Sequence, residues 1–146
     1  MIKANNPNLT SWVNVPNNSD FPIQNLPFGV FSIEGDSPRV GVAIGTQILD
    51  LKTLFELGYL SSTPFALKDF DSSSLNQMMS HGKQACRALR DRISKLLNKN
   101  TKELQENKEE LHQILFDQKD AAMHLPIEIG DYTDFYASKE HATNVG

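Results

Sequence analysis

The sequence predicts an α+β domain, and three observations carry that prediction. Between Phe28 and Leu51, short apolar runs are separated by glycine-containing turns, as in an antiparallel meander. After Gly82 the apolar positions recur at spacings of three and four, as on one face of a helix. The chain has 146 residues, 39% of them apolar and 22% charged, a length that buries roughly two-thirds of the surface its unfolded form exposes.

Residues 1–19 hold six asparagines with Pro7 and Pro16 and little apolar periodicity, which predicts an irregular lead-in. The runs Val30–Ile33, Val40–Ile44 and Ile48–Leu51 are predicted strands, the heart of a small sheet or barrel. Gly45-Thr46 fits a two-residue type II′ hairpin, because Gly45 can adopt positive φ, and Gly35 with Pro38 suits a longer turn. From Lys52 to Ser80, apolar patches alternate with the breaks Ser61-Ser62-Thr63-Pro64 and Asp71-Ser72-Ser73-Ser74, predicting short helices among loops. Ala85, Ala88, Leu89, Ile93, Leu96 and Leu97 predict a helix over 83–98, with Lys83, Arg87 and Arg90 on its far side. A second helix is predicted over 101–117, capped by Asn100 with Glu103 completing a capping box. Arg92 falls inside the apolar arc of the first helix, so it must snorkel or pair with an acid.

Composition excludes several function classes. Fourteen basic against 18 acidic residues leave a net charge of −4, which gives no global attraction to nucleic acid or to anionic membranes. Residues 83–99 carry six basic residues and 102–120 six acidic ones. With no aromatics interleaved among the basic residues, they read as two solvated helix faces of opposite sign, and no nucleic-acid partner is expected. Cys86 is alone, which rules out a disulfide framework, CxxC redox chemistry and cysteine zinc sites and suits a reducing compartment. The first fifteen residues lack the apolar core of a leader, and no run approaches the ~20 residues that span a bilayer. A cytoplasmic protein without a membrane partner is therefore expected, and the sequons at Asn8 and Asn17 read as chance.

The stretch from Met123 to Gly146 carries the chemistry. Asp131, Tyr132, Asp134, Tyr136, Lys139, Glu140 and His141 fall within eleven residues, after a glycine that punctuates a short apolar strand. Read from side-chain chemistry, Asp134 is a hard oxygen ligand for calcium or magnesium, Tyr136 a donor to a substrate oxygen, and His141 a base. A polar surface loop leading into a helix capped by Ser138 fits the same residues. One carboxylate does not hold a hard cation by itself, so further ligands would have to come from elsewhere.

Ile129-Gly-Asp-Tyr-Thr-Asp-Phe-Tyr136, followed by Ser138 and by His141-Ala-Thr-Asn-Val-Gly146, resembles the opening active-site segment of the fumarylacetoacetate hydrolase (fumarylacetoacetase) family. The resemblance continues upstream through Ser19–Ile23, Asn25–Phe31, Val40–Gly45, Gln47–Asp50 and Met123–Pro126, and so covers nearly the whole chain; residues 53–120 are its least family-like part. It implies a small SH3-like β-barrel domain with helices over 20–122, followed at 123–146 by the beginning of a β-rich catalytic domain. It implies metal-dependent hydrolysis of a carbon–carbon bond in 4-fumarylacetoacetate, giving fumarate and acetoacetate, the last step of tyrosine and phenylalanine catabolism. Position by position, Asp134 resembles the family's first metal ligand, with calcium the expected cation and magnesium the other choice. Tyr136 resembles a substrate-binding tyrosine and His141 the base that activates water, while Asp131, Tyr132 and Glu140 receive no role.

The resemblance implies no organic cofactor, a β-diketone acid as substrate, and a homodimer for the complete enzyme. Gly146 precedes the family's arginine, second tyrosine, remaining acidic ligands and lysine, so an incomplete, inactive fragment is expected. The alternative from a different class is a stand-alone, non-catalytic interaction or regulatory module. Retention of Asp134, Tyr136 and His141 favours the enzyme, since an interaction module has no need of them.

Overall fold

The computed structural model describes residues 3–131 and 133–146. Strands β1 (Phe28–Ile33), β2 (Arg39–Ile44) and β3 (Gln47–Asp50) form the expected meander. Gly29 lies opposite Gly41 and Ala43 opposite Ile48. Gly45 has φ 58°, and no described non-glycine residue has positive φ. Thr46 is therefore not left-handed, which makes the two-residue turn type II′ rather than I′. Two further strands, β4 (Leu115–Asp117) and β5 (Ala121–His124), extend the sheet to the antiparallel order β4-β3-β2-β1-β5. The sheet curls into a half-barrel, with β4 and β5 at its edges.

Alternation along β2 divides the sheet into two faces. Val40, Val42 and Ile44 point to one side, together with Val30 of β1 and Leu49 of β3, and join the main core. The helices cover that face: α1 (Leu51–Glu56), α2 (Leu67–Phe70), α3 (Asn76–Ser80) and the long α4 (Gly82–Leu97), whose Leu89, Ile93, Leu96 and Leu97 are buried. Ala88, predicted to face the core, is exposed, and Cys86 packs against the core instead.

Arg39, Gly41 and Ala43 point to the other face. A Cβ on Gly41 would stand 2.7 Å from both Phe31 and Ile48, so only glycine lets those side chains close over the strand. Arg39 lies over the Phe31 ring at 4.8 Å and the Phe116 ring at 5.4 Å and donates from Nε to Asp50 Oδ2 at 2.6 Å. Asp50 also caps α1, accepting from the backbone N–H groups of Lys52 and Thr53. One buried carboxylate thus ties the end of the meander to the first helix.

The segment before β1 is irregular yet anchored. The Trp12 indole donates to Leu96 O, and the Ser11 hydroxyl and Trp12 N–H donate to Leu97 O. These donors satisfy carbonyls that the last turn of α4 leaves without partners.

The predicted helix over 101–117 is not one helix. It divides into α5 (Lys102–Gln105) and α6 (Lys108–Ile114), and its last three residues become β4, paired with β3. Asn107 breaks it: its backbone leaves the helical region at ψ 69°, and its amide donates to Tyr59 Oη at 2.5 Å and to Glu103 O. The expected capping box is also absent, because Thr101 rather than Asn100 is the cap and no side chain bonds the orphan amides. Glu103 instead forms a two-pronged pair with Arg92, whose Nε donates to Tyr59 O at 2.8 Å. That pair resolves the Arg92 problem as an ion pair. Tyr59 donates in turn to Glu110, and its phenol is pushed up, first by burial and then by that bond.

No helix among the described residues is long and apolar enough to cross a membrane.

Candidate active site

The residues expected to carry chemistry follow β5, which is the edge of the sheet and the start of the segment leading to them. β5 pairs with β1, matching Met123 to Phe31 and His124 to Val30, and His124 Nε2 shares a hydrogen bond with Ser32 Oγ at 2.9 Å. The predicted apolar strand before Gly130 is not a strand. Residues 125–130 have no strand partner, and their anchors come from the start of α3: Leu75 N–H donates to Pro126 O, and the Asn76 side chain bonds both the N–H and the C=O of Glu128. An asparagine side chain thus stands in for a neighbouring strand. Nothing near Glu128 in sequence signals it, because the partners are 52 residues apart.

From Thr133 onward the segment is exposed and ends in α7 (Lys139–Val145). Ser138 caps α7 as expected, its hydroxyl accepting from the His141 N–H at 3.1 Å. That cap places His141 in the first turn, and its ring meets the Tyr136 ring edge to face with centroids 4.7 Å apart. The expected base and the expected substrate-binding tyrosine are therefore adjacent. The contact restricts the imidazole's rotation and leaves Tyr136 49% exposed, open to a ligand.

Asp134 is also exposed, two residues before Tyr136. Among the described residues no group of three or more histidines, cysteines or carboxylates is placed to hold a metal ion. Calcium takes 6 to 8 oxygens, so the described side chains do not by themselves fit the expected cation, and Asp134 contributes at most one ligand group. Asp131 and Glu140 are exposed, and Tyr132, to which no role was transferred, lies outside the described residues.

A cavity of about 370 Å³ opens on the face of the sheet that carries Gly41 and Ala43, walled by Phe21, Phe28, Phe31, Ile48 and Met123. Among the described residues no titratable side chain lines it, and Gln118 is its one polar side chain.

The family described as Fumarylacetoacetase N-terminal matches residues 24–126. The chain belongs to that family. It is 48% identical over 139 residues to the fumarylacetoacetase of Caenorhabditis elegans, covering 94% of this chain and 33% of the relative. It is 46% identical over 140 residues to that of Mus musculus and 45% identical over 140 residues to that of Homo sapiens, covering 93% of this chain and 33% of each relative. This fumarylacetoacetase-family chain spans about one third of the length of the relatives it matches. The name those relatives carry is that of a hydrolase.

Proposed function

We propose that the chain is the amino-terminal part of a fumarylacetoacetase that hydrolyses a carbon–carbon bond of 4-fumarylacetoacetate to fumarate and acetoacetate. In this reading residues 20–122 are an SH3-like barrel domain, for which the curled five-stranded sheet speaks, and residues 123–146 open the catalytic domain. The complete enzyme is a cytoplasmic homodimer acting in tyrosine and phenylalanine catabolism. Asp134 serves as one of several ligands to calcium or magnesium, the others lying outside this chain.

The observation that carries the reading is the Tyr136–His141 contact on a helix start fixed by Ser138. Tyr136 donates its phenolic hydrogen to a substrate oxygen. A ring nitrogen of His141 takes a proton from water, the water oxygen bonds to one carbonyl carbon, and the adjacent carbon–carbon bond breaks with its electron pair on the departing carbon. A proton returned to that carbon completes the addition of water. General base catalysis of this kind contributes about 10²- to 10⁴-fold.

The test is a chimera in which this chain replaces the first third of the mouse relative. Turnover of fumarylacetoacetate is expected, and His141→Ala should lower kcat by about 10²-fold or more while substrate still binds. An inactive but folded chimera, or turnover that survives His141→Ala within a few fold, overturns the assignment.

A further inference from the structure

We infer that Asn76 is a positioning residue for the proposed active site: by gripping the backbone of Glu128 it sets the direction in which the segment carrying Tyr136 and His141 leaves the domain. This role rests on the catalytic reading of those two residues. Asn76 Nδ2 donates to Glu128 O at 2.9 Å, and Asn76 Oδ1 accepts from the Glu128 N–H at 3.0 Å. Beside this pair the Leu75 N–H donates to Pro126 O at 2.7 Å. A primary amide both donates and accepts in one plane, as a peptide group does. Its two bonds to one residue fix the roll of the chain as well as its position, where a single bond would leave the chain free to turn. Roll matters, because in an extended chain it decides the side to which each following residue points.

The platform that makes this grip is itself fixed to the core. Leu75 and Met78 are buried, and the Met78 carbonyl accepts from Cys86 Sγ of α4. At the other end of α3, His81 Nε2 lies 3.1 Å from Oδ1 of the fully buried Asp69. The grip is also the last link between the segment and the sheet-and-helix body: among the described residues, the hydrogen bonds beyond Glu128 run within 138–146. Tyr136 follows Glu128 by eight residues and His141 by 13. A change of direction at Glu128 therefore displaces both rings together, while their mutual contact, which the Ser138 cap supports locally, survives. A misplacement of about 1 Å in a reacting group can cost ~10²-fold in rate. Asn76 is exposed, so removing its amide takes nothing from the core.

The test uses the chimera in which this chain replaces the first third of the mouse relative. Asn76→Ala should lower kcat about tenfold and change KM by less than about threefold, because an interaction that aligns reacting groups is lost from kcat and kcat/KM alike. Glu128→Pro deletes the N–H that Asn76 Oδ1 accepts, and it should lower kcat to a similar extent. The double variant should be no worse than either single one, since both break the same link. Gln77→Ala, its exposed neighbour on α3, should leave kcat unchanged. Amide exchange gives a readout apart from turnover: Asn76→Ala should speed exchange at Glu128 and leave the β2 amides protected. A chimera whose turnover needs His141 but is indifferent to Asn76→Ala overturns the positioning role alone. So does a loss of turnover that adds to that of Glu128→Pro, or one that comes with lost protection in β2. A chimera that is folded but inactive, or that turns over without His141, overturns the catalytic reading and the positioning role with it.

Discussion

Arg39 and His141 each rest against an aromatic ring, in opposite surroundings. Arg39 is 7% exposed, stacked on Phe31 and Phe116 and joined to the fully buried Asp50. His141 stands on an exposed helix with Tyr136 as its ring neighbour. The first arrangement needs four stretches of chain brought together, from β1, β2, the end of β3 and β4. The second needs six consecutive residues and one cap. The contrast separates a buried, closed charge that ties the sheet to a helix from an exposed imidazole held only by its own short segment.

Substitutions in the two regions should therefore diverge. The largest effect is expected for Arg39→Ala, which strands the Asp50 carboxylate in the interior. Removing one partner of a buried pair costs about 3–5 kcal/mol, read as a lower urea midpoint at unchanged slope, while the Tyr136–His141 ring contact persists by NMR. A loss below about 1 kcal/mol would place this pair with surface ion pairs and erase the contrast.

The Arg92–Glu103 pair lies between the extremes, since Glu103 is 41% exposed. Glu103→Gln should cost under about 1 kcal/mol after screening by solvent. Its hydrogen bond from Arg92 holds the Glu103 carboxyl below its ordinary value. The stabilisation is therefore present above the unfolded carboxyl's pKa and lost as pH falls through the lower folded value. Denaturation midpoints of wild type and Glu103→Gln should differ at neutral pH and converge in acid; a gap that widens on acidification would reverse the sign.

The smallest global effect is expected for Ser138→Ala. Loss of the cap should cost α7 about 1 kcal/mol locally, with faster amide exchange over 139–145 and a weaker contact between the Tyr136 and His141 rings. Protection of the β2 amides and the unfolding midpoint should not move. A shifted midpoint would show that α7 contributes to the core after all.

Legibility in the sequence followed the distance over which each interaction acts. The meander, the Gly45 turn, α4 and the Ser138 cap rest on side-chain periodicity, a φ that glycine supplies, or a bond spanning three residues, all of which are local. The residues Asp134, Tyr136 and His141 could be picked out by their chemistry, and the cap made the position of His141 readable as well. The break at Asn107 depended on Tyr59, 48 residues away, and the conversion of 115–117 to β4 depended on the open edge of β3.

The sequence by itself determined the α+β class, the order of the first strands and the helix that follows, and which side chains could do chemistry. Only the tertiary structure decided that Asp50 closes both a helix and an arginine, that Glu103 serves Arg92 instead of a capping box, and that Asn76 holds the segment leading to the site. The physical reason is competition. A carboxylate or an amide can satisfy several partners equally well in an isolated chain, and the choice falls to the partner that packing has already brought within hydrogen-bond distance.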